Sequence, residues 1–419
     1  MSHILRIIPG AAIIAALLFF ACRAPQRVAL PAKDNAPGIS DRPYVVLVSL
    51  DGFRYDYAEK YQASNLLRFA QEGVQAEALL PCFPSSTFPN HYSIVTGMYP
   101  ATHGLVNNSY YDPARQAHYG MGDRAKVEDG SWYGGTPLWV LAEQAGMLSA
   151  CYFWVGSEAD VQGVRPSWYY KYDGSVPNAD RVARVLEWLR LPEAKRPHFI
   201  TLYFSDVDSK GHSLGPDAPG VGKAVQELDS LLGVLDAGIQ ALGLPVNLII
   251  VSDHGMYGVD TEAPVYLAQE ADLGPFEVAR GSCVWMLYSQ DSAQTEATYA
   301  RLRERAAGRY DIYRRDEVPA HLHFRSSDRI GDLVAVARPP HVFAVWGQRP
   351  SPGAHGYDPD STHEMGAIFF AKGPAFRAGV RTAPFRNIEV YPLVADLLQL
   401  VLPEGIDATP GALDSIRAY

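Results

Sequence analysis

Tyr44-Val-Val-Leu-Val-Ser-Leu50 runs without a charge into Asp51-Gly52. A short, nearly continuous run of β-branched and aliphatic residues is a strand covered on both faces, as in a parallel sheet layered between helices. Two other runs share this form. His198-Phe-Ile-Thr-Leu-Tyr-Phe-Ser205 leads into Asp206-Val-Asp208, and Val246-Asn-Leu-Ile-Ile-Val-Ser252 leads into Asp253-His254-Gly255. Elsewhere the period changes: Val182, Val185, Leu186 and Leu189 share one helical face. Val221, Val225, Leu228, Leu232, Leu235, Ile239 and Leu242 share another, in alternating steps of four and three. Strands alternating with amphipathic helices predict an α/β fold with a doubly wound, mostly parallel sheet. The stretch at about 257–350 breaks the rhythm with an apolar run at 283–288, a helical pattern at 293–305 and short strand patterns over 311–346. It is expected to form a smaller α+β insert. The core pattern resumes at 367–371 and closes with a helix around 389–402. Open parallel sheets collect ligands at the carboxyl ends of their strands, and all three acidic clusters fall there.

The composition bounds what such a fold can do. The chain has 419 residues, 47% of them hydrophobic, enough for a large core without staples. Its 36 Lys+Arg against 46 Asp+Glu give a net charge of −10. That balance excludes a general binder of nucleic-acid duplexes, which needs a basic face. An anionic substrate remains compatible provided something local and positive receives it, which directs attention to metal ligands.

The N-terminus reads as an export signal over residues 1–22. Arg6 provides the positive start, and Ile7 to Ala21 is an apolar h-region too short for an ordinary membrane span. An uncleaved anchor is the alternative. Phe19-Phe-Ala-Cys22 resembles the cleavage site of bacterial lipoproteins, with Phe19 where that motif prefers Leu. The expected location is therefore the periplasm, or the bacterial envelope through a lipid on Cys22. Residues 23–42 read as a flexible linker, and a catalytic domain is expected over 43–419. Besides Cys22 there are only Cys82, Cys151 and Cys283, none with zinc-finger spacing.

A single Asp after a strand is usually a turn former or helix cap. The combination here is less ordinary. Asp253-His254 sets a carboxylate beside an imidazole, Asp208-Ser-Lys-Gly-His212 spaces the same pair by one helical turn, and His355-Gly-Tyr-Asp358 adds another imidazole. Nitrogen and oxygen donors without thiolates suit Zn²⁺, with Mn²⁺ as a substitute. Three Asp and three His suffice for two ions. Two divalent ions carry +4 against −3 from Asp51, Asp208 and Asp253, and one alkoxide would close the balance. That hydroxyl is expected in Pro84-Ser-Ser-Thr87-Phe-Pro-Asn-His-Tyr, where Pro89 marks a helix start whose unpaired N–H groups favour an anion. Thr87 is the leading nucleophile, with Ser85 and Ser86 as rivals. A metal-bound hydroxyl has a lowered pKa and attacks near neutral pH.

These residues resemble the nucleotide pyrophosphatase/phosphodiesterase family of the alkaline phosphatase superfamily. The likeness rests on Thr87-Phe-Pro-Asn-His-Tyr, Gly97-Met-Tyr-Pro-Ala-Thr-His-Gly-Leu-Val-Asn-Asn108, Asp208-x-x-x-His212, Ser252-Asp-His-Gly-Met256 and His355-Gly-Tyr-Asp358. Trp154-Val-Gly-Ser-Glu, Tyr172-Asp-Gly-Ser-Val-Pro177 and Ile388-Glu-Val-Tyr-Pro-Leu-Val-Ala-Asp-Leu-Leu398 extend it over residues 43–402.

The resemblance implies an alkaline-phosphatase-like fold, two Zn²⁺ ions and a Thr87 nucleophile. Asp208, His212 and His355 would hold one ion. Asp51, Asp253, His254 and the Thr87 hydroxyl would hold the other. It selects Asp208 over Asp206 and His355 over His363. Asn108 would hydrogen-bond a non-bridging phosphate oxygen, while Phe88 and Tyr169 would stack on a base. The implied reaction is in-line hydrolysis of nucleotide phosphodiester or pyrophosphate bonds through a covalent Thr intermediate, releasing nucleoside 5′-monophosphate. Choline or lysophospholipid diesters, phosphomonoesters and phosphonates are alternative substrates for the same core. Many relatives have Lys just before the Thr, where this chain has Ser86. Cys82-Phe-Pro84-Ser-Ser86 begins like a sulfatase motif but lacks its Arg, which argues against that branch.

Overall fold

In the computed structural model, which describes residues 31–418, every residue of Tyr44–Leu50 is buried. This strand, β1, therefore takes the middle of an eight-stranded sheet. The others are β2 (Val74–Ala76), β3 (Ser149–Tyr152), β4 (Trp168–Tyr169), β5 (Phe199–Phe204), β6 (Val246–Val251), β7 (Phe369–Lys372) and β8 (Val380–Thr382). Their order is β8-β2-β7-β6-β1-β5-β3-β4. From β6 to β4 all neighbours are parallel. Strand β7 pairs antiparallel with both β6 and β2, while β8 runs parallel to β2. The mostly parallel sheet expected from the three apolar runs is present, with one reversed strand that an apolar run cannot reveal.

Helices cover the sheet. The stripes at 182–189 and 221–239 lie on α2 (Asn178–Leu189) and α4 (Pro219–Leu242), and their named apolar residues are buried apart from Leu242. A fully buried aliphatic side chain contributes roughly 1.5–3 kcal/mol, so these two stripes alone hold the helices firmly. Three further helices are α1 (Thr87–Thr96), α3 (Asp206–Leu214) and α6 (Val390–Leu397).

The insert is a four-stranded antiparallel sheet, Glu277–Ala279, Val284–Tyr288, Leu333–Ala337 and Tyr310–Arg314 in spatial order, with α5 (Ser292–Arg305) beside it. Its alternation divides two cores. Val284, Met286, Tyr288, Val334 and Val336 point into the main core, whereas Trp285, Leu287, Leu333, Ala335 and Ala337 meet Tyr299 and Leu302 of α5. The insert is thereby welded to the catalytic layer rather than hung from it.

The expected export signal and residues 23–30 lie outside the described residues. The remainder of the expected linker is not loose. Ile39 is buried in the main core. Asn35 accepts from Leu148 N at 2.8 Å and donates to Glu193 O and Arg196 O, while Arg42 donates to Leu398 O and Gln399 O. Lys33 pairs with buried Glu143 at 2.5 Å. Polar composition suggested a tether, but a few specific hydrogen bonds and one buried Ile make residues 31–42 a strap.

Candidate active site

Strand β1 ends at Leu50, one residue before Asp51, β6 ends at Val251, two residues before Asp253, and β5 leads into α3, which carries Asp208 and His212. Since β5, β1 and β6 are adjacent and parallel, three acidic ends meet at one edge. Gly52 makes the closest approach. Its φ is +67°, and a Cβ there would stand 2.8 Å from Asp208 Cα, so only glycine lets the two segments touch. Asp208 N then donates to Asp51 O at 3.1 Å.

The side chains converge in two groups joined by His254. Asp51, Asp253 and His254 place ligand atoms within 4.8 Å of one another, and so do Asp208, His254 and His355. His254 Nε2 lies 3.1 Å from Asp253 Oδ2 and 3.6 Å from Asp51 Oδ1. His212 Nε2 lies 3.4 Å from Asp208 Oδ1 and 3.1 Å from His355 Nε2. The His254 and His355 rings stack with centroids 3.6 Å apart. Backbone carbonyls orient the imidazoles through their Nδ1 atoms: Gly255 O for His254, Gly353 O for His212 and Ser85 O for His355, at 2.8, 2.8 and 2.9 Å. Each imidazole thus turns Nε2 toward the carboxylates, the arrangement that metal-ligating histidines use.

Electrostatics describes a site built for cations. Burial pushes the Asp51 carboxyl well above its usual range, and the charges of Asp253 and Asp208 push the same way. Burial also raises Asp208. Asp253 is buried too, but His254 and His91 hold it well below the usual range. Burial, with His254 and His212 nearby, keeps His355 far below the ordinary imidazole value. Among the described residues, Asp51 Oδ1, Asp208 Oδ1 and Asp253 Oδ2 are buried and accept no well-aligned hydrogen bond, the imidazole nitrogens near them standing as charge partners only. A buried carboxylate oxygen left unpaired is costly. Three such atoms beside inward-facing imidazoles fit oxygen- and nitrogen-coordinated divalent ions.

Thr87 is the first residue of α1, preceded by the extended Ser86. Its hydroxyl lies 3.2 Å from His254 Nε2. The rival Ser85 hydroxyl donates to Tyr357 O and accepts from Gly356 N, which commits it to fixing the loop of His355. Phe88 N donates to Asn108 Oδ1 at 2.8 Å. Since the amide oxygen accepts that hydrogen bond, Asn108 has its NH₂ left to donate elsewhere.

Sequence reasoning passed over two partners. His91, one helical turn after Thr87, is fully buried and bridges Ser49 Oγ at 2.8 Å, Thr87 O at 2.9 Å and Asp253 Oδ2 at 3.2 Å. Tyr203 donates to Asp51 Oδ2 at 2.6 Å. The i,i+4 spacing from Thr87 was a usable signal for His91. For Tyr203, only the register of β5 against β1 reveals it.

The aromatic expectation needs correction. Tyr169 pairs with Cys151 on the outermost strand with Arg165 6.0 Å over its ring, and no contact among the described residues ties it to the cluster. Tyr172 is the exposed aromatic that reaches inward. Its ring meets Tyr203 at 5.9 Å and its hydroxyl lies 3.4 Å from Ser205 Oγ. A three-residue offset along an irregular segment separates the two, and spacing alone could not resolve it. Phe88 is partly buried near Tyr119.

Comparison with known proteins adds an independent line. The sequence model of a family described as type I phosphodiesterase/nucleotide pyrophosphatase matches residues 45–358. The chain is 37% identical over 400 residues to ectonucleotide pyrophosphatase/phosphodiesterase family member 1 of Mus musculus, covering 91% of this chain and 43% of that protein. It is 35% identical over 398 residues to a venom phosphodiesterase of Crotalus durissus collilineatus, covering 91% and 47%. The chain thus spans less than half the length of these curated relatives. The solved structure of murine ectonucleotide pyrophosphatase/phosphodiesterase 5 superimposes with a TM-score of 0.85 at 28% identity, covering 90% of this chain and 100% of that one. An inactive variant of that murine protein, solved in complex with AMP, matches equally well.

Proposed function

This chain belongs to the type I phosphodiesterase/nucleotide pyrophosphatase family of the alkaline phosphatase superfamily, and on that footing we propose that it hydrolyses phosphodiester and pyrophosphate bonds of nucleotides and related small diesters, releasing nucleoside 5′-monophosphate. The observation that carries the proposal is the meeting of three orphaned carboxylate oxygens with His254, itself 3.2 Å from the Thr87 hydroxyl at a helix start.

In this reading Asp51, Asp253, His254 and Thr87 hold one Zn²⁺, and Asp208, His212 and His355 hold a second. When bound, the two ions would lower the pKa of the Thr87 hydroxyl, neutralise phosphate charge and stabilise the departing oxygen. Thr87 Oγ1 attacks phosphorus in line and the leaving group departs opposite it, giving a nucleotidyl-threonine that water then cleaves. The Asn108 amide donates to a non-bridging oxygen, and the Thr87 N–H at the start of α1 shares that charge, the Phe88 N–H being given to Asn108 Oδ1. His91 and Tyr203 are positioning residues. The first fixes Asp253 relative to Thr87, and the second holds Asp51. Phe88 and Tyr172 form the walls against which a base stacks, an interaction worth ~1–3 kcal/mol per base. The AMP complex of the murine relative supports a nucleotide as ligand. The apolar leader at 1–22 supports an exported enzyme, periplasmic or lipid-anchored. No helix among the described residues is long and apolar enough to cross a membrane.

The test compares thymidine 5′-monophosphate p-nitrophenyl ester with p-nitrophenyl phosphate, before and after EDTA and with zinc restored. Strong preference for the diester, lost with EDTA and regained with zinc, is expected. Preference for the monoester, or turnover indifferent to EDTA, overturns the proposal.

A further inference from the structure

Two cavities border segments that carry candidate site residues, one lined by Ser109, next to Asn108, and the other by Gly353 and Ala354, next to His355. One, of about 840 Å³, opens between the strands Ser109–Asp112 and Ala117–Gly120 and the segment 268–280 of the insert. The other, of about 360 Å³, is walled by Gly353 and Ala354, immediately before His355. Arg280 borders both.

The chain around Arg280 is pinned to the reaction centre at two points. A Cβ on Gly281 would stand 3.5 Å from Asn107 Nδ2, beside Asn108. Cys283 abuts Gly356, where a Cβ would come within 3.2 Å of Cys283 Cβ. Residues 280–283 therefore bridge from the Asn108 side to the His355 loop.

The cations lining these cavities differ in their commitments. Lys126 donates to His118 O and pairs with Asp123 at 3.1 Å. Arg349 pairs with Glu262 at 2.7 Å. Arg280 is exposed and, among the described residues, has no ion-pair or hydrogen-bond partner. Its guanidinium carbon rests 5.4 Å from the centroid of the Trp285 ring. A weakly hydrated guanidinium held against an indole keeps its planar donor fork presented for a bidentate acceptor.

We infer that Arg280 is a specificity-determining residue that binds the phosphate of an anionic leaving group. This rests on the hydrolase reading above, because in-line attack by Thr87 sends the leaving group away from the Asp51–Asp253 half, toward His212, His355 and these cavities. The favoured substrates are then phosphoanhydrides such as nucleoside triphosphates and dinucleoside polyphosphates, whose departing group carries phosphate. Diesters that release an alcohol or phenol gain nothing from Arg280.

The test measures kcat/KM of the zinc-loaded enzyme for ATP and for the p-nitrophenyl ester of thymidine 5′-monophosphate, in the unmodified protein, Arg280→Ala and Arg280→Lys. Arg280→Ala is expected to lower the ATP value by about 10–100-fold, as loss of a charge-assisted contact does, with little change for the ester. Arg280→Lys should recover part of the loss, and pyrophosphate should inhibit ester hydrolysis by Arg280→Ala correspondingly less. Equal falls for both substrates, or an unchanged ATP value, overturn the assignment of Arg280 alone. An unmodified enzyme that cleaves neither substrate overturns the hydrolase reading and this inference with it.

Discussion

Asp51, Asp253 and His254 expose 3%, 0% and 0% of their side chains, whereas Asp208, His212 and His355 expose 17%, 31% and 8%. The first trio is carried by the ends of β1 and β6, two central strands locked into the core. The second is carried by the first turns of α3 and by the loop that follows the insert. Both trios combine carboxylate and imidazole, yet their surroundings differ. A low-dielectric pocket enlarges every charge effect at the nucleophile, while an open flank leaves room for a departing group. On the proposed mechanism, this difference in burial would set the attacking side of the site apart from the departing side.

That contrast can be broken by substitution. The largest effect should come from Thr87→Ala, which removes the attacking atom. Its kcat should fall by at least ~10⁴-fold, as for other lost nucleophiles, with the melting temperature and circular dichroism unchanged; residual turnover near the parent rate would move the nucleophile elsewhere. Next come the paired variants Asp253→Asn and His212→Ala, each assayed for turnover and for zinc content by atomic spectroscopy. Losses of about 10³-fold and about 10²-fold are expected respectively, because the buried charge has no solvent to replace it. Equal losses would erase the distinction between the halves. The smallest effect belongs to Tyr203→Phe, which deletes only the hydrogen bond to Asp51. A reduction of about 10-fold in kcat or zinc affinity is expected, typical of partners behind a metal ligand.

Much of this was legible in the chain itself. Tyr44–Leu50 and Val246–Val251 announce buried strands because no charge interrupts them, and Asp51 and Asp253 stand where such strands stop. The reversed direction of β7 was not legible, since Phe369-Phe370-Ala371 is as apolar as a parallel strand and direction depends on how the chain returns from the insert. The strap was hidden for the opposite reason. Its composition is that of a tether, and its order comes from single atoms such as Asn35 Oδ1 meeting Leu148 N. In the site, residues adjacent in sequence motifs were found readily, with His91 the exception. Tyr203 and Tyr172 were missed because their roles depend on strand register and on the path of an irregular segment.

The strap has one more implication. Asn35 and Lys33 grip the chain just before β3 and β5, at the amino ends of the parallel strands, whereas Thr87 and its neighbours gather at the carboxyl ends. The polypeptide therefore enters the domain at the pole opposite its mouth.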